Sequence, residues 1–144
     1  MNKNKLFIFL LSLFFILSTS LYSQTNLPLS HKGKITDIEA SKGYFYTAAI
    51  DGFIIRWDSI LNQERLQVSD IEIQKIVVHP DGNLIAVYET DGLSLFRLSV
   101  WDWQKKERLY AKRLQEKILN LSFSQQGNYL LIGNGNFAKY NCSS

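Results

Sequence analysis

Apolar residues along this chain recur in three similar segments that are broken by short turns. The segments read ITDIEASKGYFYTAAIDGFIIRWD (35–58), IQKIVVHPDGNLIAVYETDGLSLFRLSVWD (73–102) and ILNLSFSQQGNYLLIGNG (118–135). They begin at Ile35, Ile73 and Ile118, which are spaced by 38 and 45 residues. A period of this size is typical of repeat architectures, so we expect the three isoleucines to occupy equivalent environments in stacked units.

Each segment predicts antiparallel strands joined by tight turns. A half-alternating apolar strand leads to a turn that contains Gly43, Gly82 or Gly127, and a strand rich in aromatic and β-branched residues follows. Asp-Gly or Asn-Gly dipeptides come next, at 51–52, 91–92 and 134–135. Such dipeptides supply the positive φ that two-residue hairpins require. In the first two segments a third strand ends in Trp-Asp and a polar fourth strand follows, whereas the third segment stops after two strands.

Two stretches of the second unit complicate this pattern. QKKERLYAKRLQEK (104–117) consists almost only of good helix formers, so propensity favours a helix there. The phase of the repeat favours a strand and a connecting loop, and we follow the phase because it recurs. The second unit also has four more residues between Asp-Gly and Trp-Asp than the first, which predicts a bulge or a longer hairpin around Arg97–Val100.

The order HPDG, apolar strand, DG, WD resembles the WD40-type repeats of β-propellers, and the resemblance extends over roughly 27–135. It implies an all-β fold with two and a half WD40-like, four-stranded antiparallel blades of an incomplete β-propeller over residues 24–135. We expect residues 136–144 to be an irregular C-terminal tail, because they lack an apolar face. An unclosed array leaves a blade face and a strand edge open, which allows self-association.

The resemblance also implies a buried set of hydrogen-bonded polar side chains in the first blade. The matching positions are His31, Thr47, Asp51 and Trp57. Once buried, the indole N–H and the imidazole need partners, which Thr and Asp provide. The second unit departs from the pattern, since it lacks a His before Ile73 and has Val87 in place of Thr47.

The first 23 residues are typical of a helical secretory signal peptide. Lys3 and Lys5 precede a 12-residue apolar run, Leu6 to Leu17, which is broken only by Ser12 and followed by small residues. A transmembrane anchor is the alternative, but the run is shorter than the roughly 20 residues that span a bilayer. We therefore expect a secreted or periplasmic protein, cleaved after Ser20 or Ser23, that reaches a membrane only through an uncleaved signal.

Charge and cysteine usage narrow the function classes. The full chain has 16 basic and 13 acidic residues, a net charge of +3; without Lys3 and Lys5 the excess is only one charge. Nucleic-acid binding therefore loses its main support. Cys142 is the one cysteine, so it forms no internal disulfide and lies far from any lipidation site near the signal.

The sequence contains no convincing catalytic set, cofactor motif or metal site. His31 and His79 are the only histidines, and neither has a second ligand at metal-binding spacing. The Asp residues fall mostly in predicted turns, where turn chemistry explains them better than acid–base catalysis does. We expect a protein that is not an enzyme.

A candidate partner-binding surface follows the second Trp-Asp. Its residues are Trp101, Trp103, Lys105, Lys106 and Arg108. If the strand is extended, the two tryptophans share one face; either both pack between blades, or one lies at the rim as an exposed anchor. The basic residues either form a solvated outer strand or meet an anionic partner.

The function we expect is a non-enzymatic WD40-like module that mediates protein–protein interaction outside the cytoplasm, within a fragment of a longer propeller protein. The alternatives are a fragment of an enzymatic or cofactor-binding propeller, a nonfunctional truncated product, and several copies that assemble to close a ring.

Overall fold

The computed structural model describes residues 30–133 and the backbone of residues 137–141. Within these residues the chain is all-β and contains no helix, and therefore none that is long and apolar enough to cross a membrane. The predicted signal peptide lies outside the described residues, as does the predicted turn at Asn134-Gly135.

Eleven described strands form three antiparallel sheets, which we call blades 1, 2 and 3. Blade 1 comprises β1 (Ile35–Ser41), β2 (Tyr44–Ala49), β3 (Phe53–Trp57) and β4 (Gln63–Gln67). Blade 2 comprises β5 (Glu72–Val78), β6 (Leu84–Thr90), β7 (Phe96–Asp102) and β8 (Glu107–Leu114). Blade 3 comprises β9 (Asn120–Phe123), β10 (Tyr129–Gly133) and β11 (Phe137–Asn141). Consecutive strands pair within each blade, as the repeat predicts.

The third blade has three strands, so the prediction of an irregular tail over 136–144 is wrong for Phe137–Asn141. This segment pairs with β10 in a continuous register, from Gly133↔Phe137 to Tyr129↔Asn141. An outer strand obtains its order from backbone pairing with its neighbour and needs no continuous apolar face. The polar outer strand β8 of blade 2 shows the same principle.

The prediction of a strand within Gln104–Lys117 is confirmed, because β8 occupies Glu107–Leu114. Pairing with β7 overrides the helix propensity of these residues. The four extra residues of blade 2 lengthen its central hairpin, in which the carboxylate of Asp91 accepts backbone N–H bonds from Leu93, Ser94 and Leu95. The β7–β8 register also shifts between Val100 and Trp101, so both forms of the expected irregularity occur.

Apolar layers between the blades form the core. One layer joins Tyr46, Ala48 and Ile54 of blade 1 to blade 2 residues that include Ile76 and Ile85. A second layer joins blade 2 to blade 3 and contains the following residues: Val77, Ala86, Tyr88, Leu98, Ile118, Leu121, Leu130 and Ile132. Blade 2 is therefore apolar on both faces, and each face is buried against a neighbour.

Hydrogen bonds fix how the blades stack. The Thr36 hydroxyl donates to the carbonyl of Ile73 at 2.7 Å, and the backbone N–H of Ile76 donates to Asp37 Oδ2 at 2.9 Å. At the next junction, His79 Nε2 lies 3.1 Å from the carbonyl oxygen of Gly127. His79 thus joins the β5–β6 turn of blade 2 to blade 3.

The three isoleucines that mark the repeat do not share one environment. Ile73 and Ile118 are buried, whereas Ile35 is 46% exposed. The expectation of equivalent surroundings is therefore wrong for the first blade. The physical reason is that Ile35 lies on a sheet with a stacked neighbour on one side only among the described residues.

Gly52, in the turn between β2 and β3, occupies a position where the backbone geometry requires glycine. Its φ is +77°, and an added Cβ would lie 2.0 Å from the carbonyl oxygen of Ser69. That contact cannot relax easily, since the Gly52 carbonyl accepts the N–H groups of Val68 and Ser69. We expect Gly52→Ala to lower the free energy of unfolding by roughly 3 kcal/mol, from the positive φ and the clash together, as measured by urea denaturation.

Gly43→Ala is the matched control for this prediction. Gly43 has a φ of +80°, but an added Cβ would meet nothing within 4 Å. Its substitution should therefore cost only about 1 to 2 kcal/mol, the conformational part. Equal losses at the two positions would show that the close approach of Ser69 to Gly52 does not matter.

Candidate functional site

The four residues of the predicted polar set lie together at one end of blade 1. Trp57 Nε1 donates to Thr47 Oγ1 at 3.1 Å, and Thr47 Oγ1 lies 2.9 Å from His31 Nε2. His31 Nδ1 in turn lies 3.2 Å from Asp51 Oδ1. A neutral imidazole with its proton on Nδ1 completes this series of hydrogen bonds, because Nδ1–H donates to Asp51 and Nε2 accepts a hydrogen bond from the Thr47 hydroxyl.

Asp51 remains ionised although it is largely buried. Burial by itself raises the pKa of the carboxyl group, but the backbone N–H groups of Lys32 and Phe53 and the His31 ring together hold that pKa below its usual value. The Lys32 N–H donates to Oδ2 at 2.7 Å and the Phe53 N–H donates to Oδ1 at 3.1 Å. Asp51 therefore ties the segment before β1 to the β2–β3 turn, which is a structural role.

In blade 2 a different set of side chains provides the hydrogen-bond acceptor of the tryptophan N–H. The sequence did not predict this set. Trp101 Nε1 donates to Ser99 Oγ at 3.0 Å, and Ser99 Oγ donates to Glu89 Oε1 at 2.6 Å. Glu89 is fully buried and forms an ion pair with Arg97, which also donates to Ser69 Oγ at 2.6 Å.

The two sets are related by an exchange of residues across one strand pair. In blade 1 Thr47 pairs with Ile55, and in blade 2 Val87 pairs with Ser99. The hydroxyl that accepts the indole N–H has thus moved from the second strand to the third. The signal available in the sequence was the compensating Ser99, opposite the position where Thr was lost.

Of the two alternatives for Trp101 and Trp103, the structure shows the packing of both between blades and not an exposed anchor. Trp101 is 9% exposed and Trp103 is 1% exposed, and both belong to the apolar layer between blades 1 and 2. They share a face, as an extended strand requires, and that face meets blade 1. Trp103 is the more deeply buried of the two.

Trp103 lies at the centre of a polar clamp between the first two blades. Its indole N–H donates to Glu64 Oε2 at 3.0 Å, and Lys106 Nζ donates to the same oxygen at 3.0 Å. Arg56 Nη2 donates to Glu64 Oε1 at 2.9 Å. The Lys106 ammonium also lies 3.6 Å from the centroid of the Trp103 ring, and the Tyr46 ring contacts Trp103 edge-on at 5.6 Å between centroids.

These contacts lower the pKa of Glu64 to about 2. The hydrogen bond from Lys106 is the largest cause; partial burial opposes it, and the bonds from Arg56 and Trp103 add to it. Beside the clamp lies a cleft of about 430 Å³, lined by Lys42, Asp81, Asn83 and Gln104 as well as the clamp residues. Lys106, predicted as a partner contact, is thus largely committed to joining the blades.

Lys105, Lys106 and Arg108 are all exposed, but among these three only Lys106 bonds to Glu64 of blade 1. Lys105 Nζ lies 3.7 Å from Asp102 Oδ2 at the surface, and the Arg108 guanidinium lies 5.8 Å from the Trp101 ring centroid. Arg108 also borders a shallow pocket of about 320 Å³ with Arg97, Ser69 and Asp70. Of the five predicted residues, the two tryptophans are therefore buried and the three basic residues are exposed.

Metal-binding side chains are not clustered in the described structure. Across residues 30–133 and 137–141 there is no group of three or more His, Cys, Asp or Glu side chains that could hold a metal ion. His79 and Asp81, which lie 2.7 Å apart between Nδ1 and Oδ1, belong to the β5–β6 turn.

Stacked antiparallel blades with apolar layers between them define a β-propeller architecture. Comparison with known proteins agrees: the model of a family described as an N-terminal beta-propeller domain matches residues 16–138. The chain belongs to this family.

A relative comes from Treponema pallidum (strain Nichols) and carries the name "Uncharacterized protein". It is 39% identical over 103 residues, which make up 70% of this chain and 17% of the relative. The chain therefore matches less than a fifth of the length of that relative.

Thr47 provides a test of the polar set in blade 1. Thr47→Val keeps the shape but removes the acceptor of the Trp57 N–H and the partner of His31. We expect the free energy of unfolding to fall by about 1 to 3 kcal/mol, because two partly buried groups lose a partner. Thr47→Ser keeps the hydroxyl and should cost less than half as much in the same urea titration. If Ser and Val cost the same, the hydroxyl has no role.

The polar clamp predicts a pH dependence of stability. The folded pKa of Glu64 is depressed from 4.5 to about 2, so its contribution is complete above pH 4.5 and is lost as the pH falls towards 2. We expect Glu64→Gln to lower the free energy of unfolding at neutral pH by about 1 kcal/mol, after allowance for solvent screening of this half-exposed group.

The measurement compares the Glu64→Gln and unsubstituted proteins in urea at several pH values. Their difference should shrink between pH 4.5 and pH 2. Glu116→Gln, at an exposed carboxylate, controls for the loss of one negative charge. A difference that stays constant down to pH 2 would contradict the role of the ionised carboxylate.

Proposed function

We propose that this chain is a non-enzymatic, WD40-like β-propeller module that binds a protein partner outside the cytoplasm. The exposed strand β8 is the observation that carries the proposal. Its partner surface, which we call the basic edge, consists of Lys105, Arg108, Lys112 and Arg113. The proposed partner is an extended, acidic segment of another protein.

The WD40-like assignment within the propeller class draws its support from blade 1. There Trp57 precedes Asp58 at the end of β3, and its indole joins a hydrogen-bonded set with His31, Thr47 and Asp51. Blade 2 keeps Trp101-Asp102 but replaces the set. The location outside the cytoplasm draws its support from the signal-like pattern of residues 1–23.

The exposure of β8 favours the basic edge over the blade faces as a partner site. Seven of the eight residues of β8 are exposed, including the large side chains of Leu109 and Tyr110. In the described part of the chain β8 pairs with β7 alone. Its outer edge therefore offers backbone groups to an added strand, which is a recurring mode of peptide recognition.

The charge of the basic edge determines which segments it selects. Its cations outnumber the neighbouring Glu107, so the β8 edges of two copies repel each other, as basic residues on edge strands commonly ensure. The same charge attracts an acidic segment and accelerates its association. Leu109 and Tyr110 add apolar contact area on the two faces of the strand.

Charge reversal at the basic edge tests the proposal. The probe is a fluorescein-labelled peptide of about twelve residues with alternating Glu and Val, titrated with the full chain at an ionic strength of about 0.1 M and followed by fluorescence anisotropy. We expect Arg108→Glu with Arg113→Glu to weaken binding by at least about tenfold, because two attractive contacts become repulsive.

Lys32→Glu with Lys34→Glu is the matched control, since both lysines are exposed and precede β1. This variant should bind the peptide within about twofold of the unsubstituted chain, because exposed charges beyond a Debye length of about 10 Å are screened. Equal weakening in the two variants would mean that the peptide senses only net charge, and the basic edge would be rejected.

A further inference from the structure

Blade 1 has an exposed apolar face on the side opposite blade 2. Tyr46 and Ala48 of β2 belong to the layer shared with blade 2, so Phe45 and Thr47 point to the other side. Ile38 pairs with Thr47 and shares that side. Ile38 is 62% exposed and Phe45 is 54% exposed, which is unusual for large apolar residues within strands.

The corresponding positions in the other blades are buried. Strand pairing aligns Ile38 with Ile76 and Leu121, since these residues pair with Thr47, Val87 and Ile132 respectively. Ile76 is fully buried and Leu121 is 4% exposed.

The second position shows the same contrast. The pairing aligns Phe45 with Ile85, which is fully buried, and with Leu130, which is 2% exposed. The open face of blade 1 therefore has the residue pattern that forms a blade-to-blade contact in blades 2 and 3.

Both contacts within the chain have the same polarity. We call the side that carries Ile38, Ile76 or Leu121 the front face of a blade, and the opposite side the back face. The front face of blade 2 packs on the back face of blade 1, and the front face of blade 3 packs on the back face of blade 2. The front face of blade 1 thus fits the back face of another blade.

We propose that two copies of this chain associate head to tail, with the front face of blade 1 in each copy covered by the back face of blade 3 in the other. The two contacts bring together the six described blades of the two copies, a number within the range of about 4 to 8 blades that propellers contain. The arrangement has twofold symmetry and covers both faces of every described blade. It is independent of the basic edge.

Blade 3 carries features that fit this role. Its back face presents Leu131 and Tyr129, which alternate with the buried Leu130 along β10. Asn120 occupies the position of Asp37, because they pair with the equivalent residues Gly133 and Ala48.

The match at Asn120 concerns a hydrogen bond between blades. Asp37 Oδ2 accepts the N–H of Ile76 from the next blade at 2.9 Å. Asn120 also has a side-chain oxygen at this position and can make the corresponding contact near Ile38 of the other copy. Lys75, which holds the position in blade 2, has no acceptor atom.

Light scattering during size-exclusion chromatography of the full chain tests the association. We expect the mass of a dimer at micromolar concentration. Ile38→Ser with Phe45→Ser should raise the dimer dissociation constant by at least about 100-fold, because two large apolar side chains lose their burial at each of two contacts. Leu93→Ser, at an exposed leucine of the β6–β7 hairpin, should leave the dimer unchanged.

A cysteine pair tests the head-to-tail geometry without removing apolar surface. Ile38→Cys with Asn120→Cys, in a Cys142→Ser background, should form a covalent dimer under mild oxidation, because residues 37 and 76 at the existing junction are adjacent. Ile38→Cys alone should not cross-link.

Three results would overturn the proposal. They are a monomer at all accessible concentrations, a dimer that survives the paired serine substitutions, and cross-linking by Ile38→Cys alone, which would indicate that two blade 1 faces meet instead. If the chain were a monomer, the front face of blade 1 would instead be available to a blade of another polypeptide.

Discussion

The structure depends on the burial of apolar sheet faces between stacked blades. A single four-stranded sheet of this sequence is apolar on both sides, so it has no solvent-tolerant face and cannot be stable alone. Blade 2 shows the consequence: along β6 every residue from Ile85 to Thr90 is buried. The hydrogen bonds from Thr36 and to Asp37 then fix one register between neighbours. Stacking supplies the burial, and these polar contacts make it specific.

The same constraint explains the polar side chains inside the blades. A tryptophan at the end of the third strand fills the space between blades, but its indole N–H must have an acceptor once it is buried. Blade 1 meets this need with Thr47 and a histidine, and blade 2 meets it with Ser99 and a glutamate that Arg97 neutralises. Both solutions place a hydroxyl on the same strand pair. The requirement is conserved between the blades although the residues differ.

The sequence predicts those features that depend on local pattern. The period of the repeat, the glycine turns and the strand at β8 could all be predicted from the sequence, because turn chemistry and alternation depend on neighbouring residues. The set around His31 followed from a known family pattern. The Glu89–Arg97 pair could not be found in this way, since it forms only when two strands align residues eight positions apart. The burial of Trp101 and Trp103 depends on which side faces blade 1, and alternation alone leaves that choice open. Strand β11 was missed because its order comes from β10 and not from its own residues.

Stacking also limits where a function can reside. The faces between blades 1 and 2 and between blades 2 and 3 are buried by stacking, and Trp103, Glu64 and Lys106 join blades 1 and 2. Besides the front face of blade 1, the described outer strands and the turns at their ends stay accessible. Among the described outer strands, β4 keeps Leu66 buried, whereas β8 exposes nearly all of its residues and carries an excess of positive charge. A surface that is not needed for stacking is free to diverge for recognition, and in this chain β8 fits that description better than any blade face does.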